Sequence, residues 1–245
     1  MSSGPQLISA SDVRDVSTVQ KQAIGSQVVT RDGRVYVYGN MGSGGAAAAG
    51  DLAVAEAIVS GHTNKQFYAA AAVGAKQVKL KTASTAVTAN QYQDGYLVVN
   101  DATGEGIAYQ ISGNGAASIG NPVTINLYEP VTVALVADTS EGSLIKHPAK
   151  DAVLSTTLSK AVGVANVAVA ASSFCWFQKE GIASVTQDGN ITKGYNCVQS
   201  NGTAGAVEIF TDSTAGATDL QEIVGVALET TVSTEHNAVA LRIIG

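Results

Sequence analysis

From residue 33 onward, apolar and polar residues alternate in short runs bounded by turn formers. In GRVYVYGN (33–40), Val35, Val37 and Gly39 share one side and Tyr36 and Tyr38 the other, the period of two of an extended strand. KQVKLKT (76–82), DGYLVVND (94–101), GIAYQIS (106–112), PVTINLY (122–128) and VTVALVA (131–137) repeat the pattern, each fenced by Gly, Asn, Asp or Pro. This spacing, with no sustained helical period, predicts an all-β chain built as a sandwich or as small barrel modules. GDLAVAEAIVSG (50–61) is ambiguous: its alanines favour helix, yet Leu52, Val54, Glu56 and Ile58 alternate with small residues, and it reads as strand.

The first thirty residues break the pattern. Their apolar positions are scattered among Ser, Thr and Gln, so residues 1–30 are expected to form an extended N-terminal arm. Residues 31–150 are then expected to form a β-rich domain and residues 151–245 a small β-barrel domain. The last contains an internal echo. AVGVANVAVAASSFCWFQKEG (161–181) and IVGVALETTVSTEHNAVALRIIG (223–245) share Val-Gly-Val-Ala, at 162 and 224, and each runs on into an alternating strand that ends on Gly. Two hairpins of one plan are expected to pair across the barrel, with Gly163 and Gly225 where the chain bends or another backbone comes close.

SSFCWFQKEG (172–181) holds the single tryptophan and two of the four phenylalanines. On a strand, Phe174, Trp176 and Gln178 face one way and Cys175, Phe177 and Lys179 the other. Both faces are therefore expected to be covered, one by the barrel interior and one by a neighbouring domain or subunit.

Composition adds one hint. The 245 residues are 45% hydrophobic, enough for a real core, yet only 14% charged where about 25% is usual. Such a lightly charged surface points to contact with another protein. A net charge of −6 leaves no cationic footprint for nucleic acid. No apolar run reaches the roughly 18 residues of a membrane span, and without a secretory signal the chain is expected to be made in a cytosol. Cys175 and Cys197 are too far apart for a zinc spacing and are expected to stay reduced. Asn190 and Asn201 begin glycan-acceptor triplets but read as turn residues.

Motifs for chemistry are weak. Gly42, Gly44 and Ala47 fit the dinucleotide fingerprint G-x-G-x-x-A, but 60–68 lacks the acidic residue a ribose would need, so the segment reads as a flexible loop. GNITKG (189–194) imitates a phosphate loop, with Tyr195 where its lysine belongs. His62, His147 and His236 lie far apart in sequence and read as loop or turn residues. Asp101 and Glu105 lie in the turn NDATGEG (100–106), where Asn, Asp and Gly serve the backbone. Lys76, Lys79 and Lys81 read as guards of an edge strand. No catalytic, cofactor or metal residue is assigned.

The succession VTANQYQDGYLVVNDATGEGIAYQIS (87–112), VTINLYEPVTVALVADTSEGSLIKHP (123–148) and AVGVANVAVAASSFCWFQKEGIASV (161–185) resembles virion decoration, or head cement, proteins of tailed bacteriophages. Thr88 to Tyr92, Gly95 to Val99, Gly104 to Gly106, Leu127 to Pro130, and Trp176 with Gln178 and Gly181 carry the resemblance, which covers about residues 31–245. Cys175 departs from it, standing where a small residue is expected. The resemblance implies a non-enzymatic accessory protein on the outer surface of an icosahedral head, often a homotrimer, clamping neighbouring major capsid subunits. It also implies an arm that reaches over a neighbour, which makes Leu7, Ile8, Val13, Val16, Trp176 and Phe177 the candidate interface. The alternatives are a phage fibre or tail component, or a carbohydrate- or receptor-binding module with Trp176 and Phe177 as an exposed stacking platform. A nucleotide-dependent enzyme using residues 42–47 ranks last.

Overall fold

The computed structural model describes residues 6–210, 221–233 and 235–244. It divides into two compact units: Met1–Glu56 with Pro148–Gly245 form the larger, and Ala57–His147 are inserted between its two parts. In chain order the strands are β1 (Gln6–Ile8), β2 (Gln27–Thr30), β3 (Val35–Asn40) and β4 (Leu52–Val54). The inserted unit contributes β5 (Lys65–Gln66), β6 (Gln77–Leu80), β7 (Tyr96–Asp101), β8 (Ala108–Asn114), β9 (Val123–Leu127) and β10 (Glu141–Ile145). The chain then returns through β11 (Ala161–Ala165), β12 (Phe174–Thr186), β13 (Asn196–Gln199), β14 (Val207–Ile209), β15 (Ile223–Ala227) and β16 (His236–Arg242). Two single-turn 3₁₀ helices, Asp12–Arg14 and Ser60–His62, are the only helical pieces among the described residues. The all-β expectation holds.

The inserted unit is a closed barrel. Its strands run β5-β10-β7-β8-β9-β6, and a bridge between Phe67 and Leu80 joins the two ends. Alternate residues fill the interior, among them Leu97 and Val99 of β7, Tyr109 and Ile111 of β8 and Val123 and Ile125 of β9, all within 1% of full burial. The strand expected over 131–137 does not form. Val131 and Leu135 are both 1% exposed while Val133, which a strand of period two would set on the same face, is 38% exposed. The segment touches its neighbour at two points instead, Leu135 exchanging backbone hydrogen bonds with Ala71, and Val131 bonding Gly74 and Ala75.

In the larger unit, β4, β11, β12, β16, β15 and β13 lie side by side, and β14 fills the gap after β13, with Leu52 N donating to Gly205 O at 2.7 Å. β12 is the hub. Over its 13 residues the first half pairs with β3 and the second with β16, so one strand serves two cores. Tyr36, Tyr38 and Phe177 centre the first core; Leu52, Val164, Val185 and Val239 belong to the second.

This pairing corrects two expected boundaries. β3 and β4 lie in the expected 31–150 domain by sequence but pair with β12 and β11, because their buried faces match strands from the far end of the chain. Residues 6–30 do not form a free arm. β1 pairs in parallel with β2, β2 pairs with β3, and Val13 and Ile24 are buried at 2% and 4% exposure. Residues 1–5 of the expected arm lie outside the described residues.

The echo is structural. Gly163 pairs with Ala53 and Gly225 with Cys197, each beside a β-bulge. A side chain on Gly163 would meet Gln178 O at 2.7 Å, and one on Gly225 would meet Ala240 O at 2.5 Å, the corresponding atom one repeat later. The two hairpins pair through β12 and β16, with Glu180 opposite its own repeat equivalent, Arg242.

The two barrels also share their wiring. In the order of neighbours, β7-β8-β9-β6-β5-β10 matches β4-β11-β12-β16-β15-β13, and the chain visits these positions in the same cyclic order, entering at a different point. In both barrels a residue, buried in all cases but the half-buried Thr231, bridges its partner before each of four strands: Ala47 to Val169 and Ile191 to Thr231 in one, Ala71 to Leu135 and Val87 to Ala117 in the other. Three residues after each of the seven anchors for which that position is described the backbone turns left-handed, at Gly50, Gly74, Asn90, Gly120, Asp138, Ser172 and Gly194, which swings the chain into the next strand; the position after Thr231 lies outside the described residues.

Candidate functional site

The aromatic run of β12 is covered on both faces, as expected, but its cover comes from the chain itself. Phe177 is fully buried in the first core, and Trp176 is 8% exposed. Tyr38 packs edge-on against Trp176 at 5.0 Å between ring centroids and lies parallel to Phe174 at 6.1 Å. The N-terminal segment closes over this group, with Ser17 and Phe174 exchanging backbone hydrogen bonds of 3.0 and 2.7 Å and Lys21 N donating to the Tyr38 hydroxyl. A cavity of about 170 Å³ remains, lined by Ile8, Asp12, Asp15, Tyr38, Phe174 and Trp176 among others. Of the candidate interface residues, Ile8 and Trp176 therefore line one cavity, Val13 is core, Leu7 and Val16 face solvent at 75% and 39%, and Phe177 has no free surface. Phe177 presents no ring face and Trp176 very little, so the exposed stacking platform of the binding-module alternative is not formed by these two.

The remaining candidates have structural partners. The Gly-rich segment 39–50 leads into strand β4, not into the helix that a dinucleotide fingerprint requires, and its Ala47 is one of the buried anchors. His62 is buried with Nδ1 2.6 Å from the Tyr92 hydroxyl and Nε2 3.0 Å from Thr85 O. His236 sits 3.2 Å from Ala49 O, and His147 is half-buried at the end of the inserted unit. Asp101 accepts from the neighbouring Ala102 N, a turn contact, and Glu105 is exposed. The lysines of β6 do not guard an edge, since β6 pairs with β9 and its end bridges to Phe67; Lys81 forms an ion pair with Asp138 at 2.6 Å. Both cysteines are free and buried, and burial pushes the Cys175 thiol up to about 12 and the Cys197 thiol to about 11.

Two surfaces escaped the sequence reading. On the outer face of the larger unit's barrel, Ile182, Ala240, Val226 and Asn196 stand in one row across β12, β16, β15 and β13. Ile182 is 63% exposed and Val226 37%, and Leu228, also 37%, lies beside Ala238 in the next row. The usual size order is inverted here: small Ala183 is buried at 5% while its larger neighbour Ile182 points out. On the inserted barrel, Tyr96 and Tyr128 are 38% and 50% exposed. Parity along each strand was the available signal, but it needed the register to say which side was out.

No protein-family model, curated protein or solved structure matches this chain. Among the described residues no helix is long and apolar enough to cross a membrane.

Proposed function

We propose that this chain is a structural virion protein that decorates an icosahedral phage head on its outer surface, as a homotrimer, and stabilises it by clamping neighbouring major capsid subunits. The observation that carries this reading is the outer face of β12, β16 and β15. There Ile182, Val226 and Leu228 stand exposed among Ala238 and Ala240, with Ser184 and Asn196 beside them, a largely aliphatic, uncharged strip of the kind that belongs against another protein. The sequence resemblance supplies the partner. Residues 6–30 support a modified form of it, in which the folded sheet face joins copies of the chain and the trimer so formed makes the clamp, since this segment is already committed to the larger unit's own core and is no free arm. Many copies on a lattice add modest contacts into firm attachment.

The test is to mix purified protein with undecorated heads and pellet them. Saturable co-sedimentation, lost in Ile182→Lys, supports the reading; protein that stays wholly in the supernatant at micromolar concentration refutes it.

A further inference from the structure

The register of the inserted barrel sets Tyr96, Gln110 and Tyr128 side by side on its outer face, one residue from each of β7, β8 and the end of β9. Tyr96 is the partner of Gln110, and Tyr128 N donates to Gln110 O at 3.0 Å. With strands about 4.8 Å apart, the two tyrosine Cα atoms are separated by about 10 Å. Ile145 of β10 extends the same row on the far side of Tyr96.

Tyr128 does not stand off the sheet. Its hydroxyl donates at 3.2 Å to Asp94 Oδ1, two residues before β7, so the side chain lies across β8 and its ring rests along the surface. Asp94 is 2% exposed at the foot of the strand, while Tyr128, which it holds, is 50% exposed. The result is a pinned aromatic face with a second exposed ring, Tyr96, in the same row and a side-chain amide between them.

We propose that this row is a binding surface for a neutral glycan chain. Three features select that ligand. An aromatic that anchors a protein partner stands out to fill a pocket, whereas a ring held flat offers its face, which suits the apolar C–H face of a sugar. Holding the ring in place beforehand removes an ordering cost that weak sugar binding would otherwise bear. The row itself, Ile145, Tyr96, Gln110 and Tyr128, carries no charge, and the outward residue before Tyr128 on β9, Asn126, is another amide, bonded to Gln77. Beside the row sits the Glu129 carboxylate, which accepts from Gln110 N at 3.2 Å and disfavours acidic sugars. This site is independent of the capsid reading and lies on the other unit.

The probe is native electrophoresis in gels cast with dextran, mannan, mixed-linkage β-glucan or galactomannan, with polygalacturonate as the acidic counterpart. The full-length protein is expected to be retarded by at least one neutral polymer and not by polygalacturonate. Tyr96→Ala and Tyr128→Ala are each expected to weaken the retardation about tenfold, and Tyr128→Phe, which keeps the ring but frees it from Asp94, to weaken it by less. Gly44→Ala, on the larger unit where a methyl meets nothing within 4 Å, is expected to leave it unchanged, and an unaltered thermal melt by circular dichroism checks the fold of every variant. Migration unaffected by all the neutral polymers, retardation that survives both alanine variants, or retardation confined to polygalacturonate would each overturn the proposal.

Discussion

Lys160 and Glu222, 62 residues apart in the chain, occupy the same position in the two copies of the repeat and form an ion pair. Glu180 and Arg242, separated by the same interval, are cross-strand partners in β12 and β16. Where a position of the repeat meets its own equivalent, like residues would set like charges together, and the chain carries opposite ones.

Reversing one member restores that conflict. Lys160 and Glu222 are 38% and 29% exposed, which limits the pair itself to about 1 kcal/mol, but Glu222 also accepts from Ala161 N at 2.9 Å. Lys160→Glu is expected to lower stability by about 1–2 kcal/mol in urea unfolding, and the double exchange Lys160→Glu/Glu222→Lys to recover part of the loss.

Gly163 and Gly225 are required by close backbone approach. A methyl on Gly163 would sit 2.7 Å from Gln178 O and 2.9 Å from Phe177 Cβ, and one on Gly225 2.5 Å from Ala240 O. Each Gly→Ala change is expected to cost about 2 kcal/mol or more, read from the urea midpoint, because strand backbone cannot step aside. Gly44→Ala, where a methyl meets nothing within 4 Å, is the control and is expected to leave the midpoint in place.

Burial raises both thiols above their ordinary value of 9.0, Cys175 to about 12 and Cys197 to about 11. A proton held more tightly in the folded state contributes stability that is complete below the unfolded value and is lost as pH rises through the folded ones. Stability is therefore expected to fall between about pH 9 and 12, and the fall to shrink in Cys175→Ala compared with the wild type at matched pH. At pH 8 neither thiol is expected to react with a disulfide reagent until the protein unfolds; prompt labelling of two thiols in the native protein would contradict this.

Residues 57–147 have their own closed barrel and their own core around Phe67, Leu97, Tyr109 and Ile125. Expressed alone they are expected to give a β-type circular dichroism spectrum and a single cooperative melt. An unfolded fragment would mean that the barrel depends on the rest of the chain.

The strands were legible because alternation is local. GRVYVYGN, DGYLVVND, GIAYQIS and PVTINLY each became a strand within a few residues of its expected bounds. The echo at 162 and 224 was legible as well, and the need for Gly163 and Gly225 followed from it. Connectivity was not. Nothing in RVYVY says that β3 will lie against Phe174 to Gln178, more than a hundred residues on, so the domain limits at 30 and 150 missed an insertion. The turns after the anchors were hidden by their variety: Asn90, Asp138 and Ser172 turn the chain as Gly50 does, and only the folded backbone shows that one device recurs. The site failed for a related reason. Trp176 and Phe177 drew notice by rarity, while exposure fell to Tyr96, Tyr128, Ile182 and Val226, which only the register places outward.

Self-association through the outer sheet face is the claim on which the structural role stands, and the solution mass at micromolar concentration tests it most directly. Sedimentation equilibrium is expected to give a multiple of the single-chain 24.8 kDa, three times that value for the trimer, and Ile182→Lys with Val226→Lys to return it to 24.8 kDa. A wild-type protein that sediments as one 24.8 kDa chain would contradict the account.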